Sequence, residues 1–184
     1  MKRLLLGVLC ALCVCTAARP QQAPAAAPAS PSKDSAAPGK PDYSQEPFIF
    51  EQYTTKIRFE NDGTGEREYI ARILVQSDAG VQALGELTFG YSSANEQMNI
   101  PYVRVHKADG SVVTADTSAV KDMTAAVAHD APVYTDYKEK HVTVPSLHAG
   151  DTLEYEVDSH LATPLASSEF WYAQNFLTGA IVLE

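Results

Sequence analysis

From Phe48 onward the apolar side chains recur at every second residue, and that period restricts the backbone to extended strands. Between Tyr53 and Glu60, Tyr53, Thr55, Ile57 and Phe59 share one face while Thr54, Lys56, Arg58 and Glu60 share the other. Successive side chains of a strand point to opposite sides of its sheet, so the pattern is that of a strand buried on one face. Asn61-Asp62-Gly63-Thr64-Gly65 then interrupts with residues that tolerate turn dihedrals, and Arg67, Tyr69, Ala71, Ile73 and Val75 resume the alternation. The two runs predict an antiparallel hairpin.

The same period continues downstream. Ser77 is placed to cap a helical turn over Asp78 to Ala83, after which Leu87, Phe89 and Tyr91 return to strand spacing. Asp109-Gly110 lies between two strand-like runs, Tyr102 to Lys107 and Ser111 to Thr114, and predicts a second hairpin. A second helical turn is expected near Asp116 to Met123, with Val120 and Met123 on one face. Val142 and Val144 point one way and His141 and Thr143 the other. After a turn over Pro145 to Gly150, Leu153, Tyr155 and Val157 face inward and Glu154, Glu156 and Asp158 outward. Phe170 to Phe176 and Ile181 to Leu183 add further strand material.

The expected fold is mainly β, an antiparallel β-sandwich with one or two short helical turns. Its expected core is Ile57, Phe59, Ile73, Val75, Leu87, Phe89, Val142, Val144, Leu153, Tyr155 and Val157.

The start of the chain reads differently. Lys2 and Arg3 precede an apolar run from Leu4 to Val14 and the small residues Thr16, Ala17 and Ala18, the pattern of a secretory signal peptide over residues 1–18. Residues 19–46 are dominated by Ala, Pro, Ser, Gln and Lys, with too little apolar surface to offset the entropy of ordering, so they read as a disordered Pro/Ala-rich linker. Residues 47–184 form the β-sandwich domain, and the apolar finish at Ala180 to Glu184 reads as an element cut short. The expected destination is export, to the periplasm or beyond the cell.

All three cysteines, Cys10, Cys13 and Cys15, lie inside the signal, and none follows the Gly, Ala or Ser of a bacterial lipoprotein site. A cleaved chain has no disulfide framework and no thiolate nucleophile, and no lasting membrane anchor is expected. The formal charge is −9 and becomes more negative once Lys2 and Arg3 are removed, which disfavours nucleic acid and anionic lipid as partners.

Chemistry-bearing residues are scattered. His106, His129, His141, His148 and His160 form no tight ligand spacing, so no metal or cofactor is expected. Asn61 to Glu66 places oxygen donors around glycine but lacks the alternating acids of a calcium loop, and a β-turn is the better reading. Without a G-x-S-x-G elbow no serine hydrolase triad is indicated, and Glu154 and Glu156 share a face without any mark of an acid and base pair. No catalytic residue is assigned. Tyr134, Tyr137, Trp171 and Tyr172 are the candidates for a flat aromatic platform for sugar or peptide.

Four runs taken in order, "RFENDGTGEREYIARILVQSDAG", "YVRVHKADGSVV", "PVYTDYKEKHVTVPSLHAGDTLEYEV" and "EFWYAQNF", resemble the bacterial domain of unknown function that precedes a transglutaminase-like core in exported proteins. The resemblance covers about residues 50–184. It implies a mostly antiparallel β-sandwich with an accessory, binding or structural role, and a downstream transglutaminase-like domain in cis as partner. It implies too that full-length relatives carry a Cys-His-Asp core further along, which this chain does not contain. The function expected is therefore that of a non-catalytic accessory domain. The alternatives are a carbohydrate- or peptide-binding module, or a fragment of a transglutaminase-like or protease-like enzyme whose core lies beyond residue 184.

Overall fold

The computed structural model describes residues 41–126, 136–173 and 179–184. The signal sequence and most of the linker lie outside that range, as do Tyr134 and His129. Residues 41–46, the end of the linker by composition, are tied down: the Gln76 side-chain amide donates to the carbonyls of Tyr43 and Glu46, at 2.8 Å each.

Two sheets face each other. The first has six strands in the order β5-β4-β8-β2-β1-β9 and the second three, β3-β7-β6. In chain order they are β1 (Phe48–Phe59), β2 (Gly65–Val75), β3 (Glu86–Ser92), β4 (Glu96–His106), β5 (Val112–Thr114), β6 (Val120–Thr124), β7 (Tyr137–Thr143), β8 (Thr152–Leu161) and β9 (Ile181–Val182), with one helix, α1 (Asp78–Leu84), between β2 and β3. All pairings are antiparallel except that of β9 with β1. The expected mainly-β sandwich is the observed fold. No helix among the described residues is long and apolar enough to cross a membrane.

The hairpins form where turn chemistry places them. Gly63 takes φ +89° at the β1–β2 turn, and a Cβ there would meet the Glu169 backbone at 2.7 Å, so both dihedral and space require glycine. Asp62 accepts from the Thr64 N–H and hydroxyl through one oxygen, and Asp109 holds Ser111 in the same way in the β4–β5 turn. The Asn61–Glu66 segment is thus a turn. Helix α1 starts at Ser77, whose hydroxyl accepts from Gly80 N–H.

Ala71, Ile73 and Val75 of β2, Val103 and Val105 of β4, Leu153, Tyr155 and Val157 of β8, and Leu87 and Val142 of the second sheet make one apolar cluster. Phe89 is half-buried and meets Tyr155 edge-on across the sandwich, 5.4 Å between ring centroids.

Several expectations need correction. Ile57 and Phe59 are 37% and 66% exposed instead of buried. Their strand keeps the right phase, but three strands cannot cover six, and the last turn of alternation on β1 runs out beyond the cover. Phe59 stacks instead on Phe170, 5.3 Å between centroids. The expected turn over Pro145–Gly150 is present and crosses between the sheets, since β7 pairs with β3 and β6 while β8 pairs with β2 and β4. The second helical turn is only a 3-10 turn at Thr117–Ala119, capped by Asp116, and Val120 and Met123 already belong to β6. Within the expected strand at Phe170 to Phe176, residues 170–173 are irregular and the rest lie outside the described residues.

Candidate functional site

The uncovered end of the sandwich gathers the groups whose placement the core does not explain. Arg67 lies on β2 in phase with Tyr69, Ala71 and Ile73, so its side chain enters the space between the sheets instead of the solvent. There it forms a short ion pair with Glu96 of β4, and its Nη2 also donates to the Ser159 hydroxyl of β8 at 3.2 Å. Both partners of the pair are about four-fifths buried. Arg67 Nε is buried and has no hydrogen-bond partner among the described residues.

The pair forms the wall between two cavities. One, of about 350 Å³, runs under β3 and is lined by Thr88, Phe89 and Gly90 on one side and by Tyr53, Tyr69 and Met98 on the other. Burial raises the Tyr69 phenol above its usual range, and a hydrogen bond with Tyr172 adds to this. The second cavity, about 130 Å³, opens outward past Asn95, Leu165, Phe170 and Trp171. Its rim is apolar and exposed: Leu165 is 80% and Trp171 70% accessible. Phe170 covers Gly65, where a Cβ would sit 2.7 Å from its ring.

The aromatic platform candidates are dispersed. Trp171 lies on the rim, Tyr172 lines a neighbouring hollow with Ile57 and Phe59, and Tyr137 packs over Gly90 in the second sheet. Tyr134 lies outside the described residues. Arg67, Glu96 and Ser159 were not singled out from sequence, although a charged residue in phase with a buried face was a legible sign.

Among the described residues, His106, His141 and His148 lie beside charged side chains at separate places on the fold. His106 Nε2 meets Glu154 at 2.6 Å, and His141 bridges Glu86 at 2.5 Å and Glu139 at 3.1 Å. Those two carboxylates hold the His141 imidazolium above its usual pKa. His148 lies 3.0 Å from Lys107 Nζ, which also donates to Asp151 at 2.7 Å. On the outer face of the large sheet, Glu68, Glu156 and Asp158 bring carboxylate oxygens within 4.8 Å of one another. Burial first, then Glu68 and Glu66, raise the Asp158 carboxyl. The oxygen set suits a hard cation, yet Lys56 already neutralises Glu68 at 2.6 Å.

A family model for a domain of unknown function with a solved structure (DUF3857) matches residues 61–184. A search of curated proteins returns no match. The crystal structure of a candidate protease from Parabacteroides distasonis ATCC 8503 is similar in fold, with a TM-score of 0.60 and 19% identity. The similarity covers 64% of this chain and 23% of that one, so this chain spans well under two-thirds of that protein's length.

Proposed function

Since this chain belongs to the DUF3857 family of domains of unknown function, we propose that it serves as a non-catalytic accessory domain of an exported protein, docking in cis against a transglutaminase-like domain that follows it. The observation that carries this reading is the apolar end of the sandwich. Phe59, Leu165 and Trp171, the three most exposed large apolar side chains among the described residues, stand together with Ile57 and the half-buried Phe170. Such a patch marks a surface that meets another protein surface. The similar region of the Parabacteroides distasonis structure, itself under a quarter of that chain, supports a domain that works beside others.

Acyl transfer of the transglutaminase kind needs a thiolate beside a histidine, and no cysteine follows Cys15. On this reading the chemistry belongs to the companion domain. The test is to read the gene beyond the codon for Glu184, express the encoded companion as a separate polypeptide, and titrate it with this chain. A saturable complex that Phe59→Ser and Trp171→Ser weaken about a hundredfold is expected. A companion that ignores the chain, or binds both variants as well as the original, rejects the docking.

A further inference from the structure

The two sheets are unequal, and the mismatch falls beside β3. In the three-stranded sheet β3 is an outer strand: β7 pairs with one side of it, and among the described residues no strand pairs with the other. Beneath that free side lies the 350 Å³ cavity, with Tyr53 and Tyr69 of the large sheet as its floor. Tyr69 also bonds Tyr172, which lines the neighbouring hollow with Ile57 and Phe59. An outer strand presents a row of backbone donors and acceptors ready to pair. Here that row borders a cavity whose floor joins the Tyr53 and Tyr69 rings to the polar groups of Arg67, Glu96 and Ser159.

We propose that this slot binds an extended peptide, added as a fourth strand along Thr88–Gly90, with apolar alternate side chains and basic flanks. Three features select that ligand. Strand addition supplies main-chain hydrogen bonds, and the pockets below take every second side chain. The Arg67–Glu96 pair lines the slot, is neutral overall, and offers one donor and one acceptor group. A peptide amide supplies both complements, whereas an isolated anion would face Glu96. Finally, the chain carries a net charge of −9, and Glu96 and Glu169 line the outer cavity, which favours cationic over anionic flanks.

The inference does not depend on the docking reading, because it concerns the slot behind the rim. The test uses the purified chain, 15N-labelled, and the capped peptide Ac-Lys-Val-Thr-Val-Thr-Val-Lys-NH2. Two variants of the peptide carry N-methyl groups on alternate residues, in opposite phases, so that each loses the donors of one edge. Saturable shifts of the Thr88, Phe89 and Gly90 amides are expected, with one methylation phase abolishing them and the other leaving binding within about threefold. Replacing both Lys flanks by Glu, or Glu96 by Gln in the protein, should weaken binding about tenfold. Three results would overturn the proposal: no saturable shift, equal binding of both methylated peptides, or response of the same amides to chitohexaose but not to peptide.

Discussion

Asp151 shows how one buried carboxylate holds a junction between sheets. It is 4% exposed, accepts from Lys107 Nζ and from the His148 N–H at 2.7 Å each, and so fixes the path from β7 to β8. Its backbone joins in, since Val75 N–H donates to its carbonyl. Asp151→Ala strands a mostly buried ammonium and a backbone donor, and is expected to cost roughly 3 kcal/mol in urea unfolding, with Asp151→Asn costing clearly less. His141 should give a pH signature. Its folded pKa is raised by Glu86 and Glu139, so its contribution is complete below its unfolded value of about 6.5 and is lost as pH rises through the folded value. Thermal unfolding followed from pH 5 to 9 should therefore show a decline on the alkaline side that His141→Gln flattens. Asp62 and Asp109 act with the opposite sign. Hydrogen bonds from Thr64 and Ser111 lower their pKa, so their contribution holds at neutral pH and fades as acid is added below about 4.

Among the strands, the end of β1 and the middle of β2 separate two roles that share one alternating pattern. Ile73 is fully buried and Phe59 is 66% exposed, although each lies on the inward phase of its strand. Ile73→Ala is expected to cost about 2–5 kcal/mol, against less than about 1 kcal/mol for Phe59→Ser. Chemical denaturation of both variants compares them directly. The contrast explains what the sequence could disclose. Period-two patterning reports which side chains share a face, and it placed Val142, Leu153, Tyr155 and Val157 correctly. Asp-Gly and Asn-Asp-Gly chemistry placed the two hairpins. Alternation carries no information about which sheet a strand joins, so the turn over Pro145–Gly150 was legible but its crossing between the sheets was not. Nor does it tell how far the opposite sheet reaches, which is why Ile57 and Phe59 were expected in the core.

The sandwich as assembled is lopsided, with six strands against three, and its functional features cluster where the cover ends. The ion pair of Arg67 and Glu96 was illegible in sequence as a pair because 29 positions separate its members and only the β2–β8–β4 neighbourhood brings them together. Trp171 was legible as a large aromatic residue but not as an exposed one, since residues 171–173 follow no strand period. The proposed role as a docking domain turns on that exposed end. Trp171 is the sole tryptophan of this chain and 70% accessible, which makes it a native reporter. The decisive measurement is acrylamide quenching of Trp171 fluorescence, first in this chain alone and then in whatever polypeptide the gene encodes through and beyond the codon for Glu184, with any further tryptophans replaced by Phe. Docking requires strong quenching in the chain alone and a quenching constant several-fold lower in the longer protein. Equal quenching in the two would show the apolar end still open to water, and would contradict the docking role.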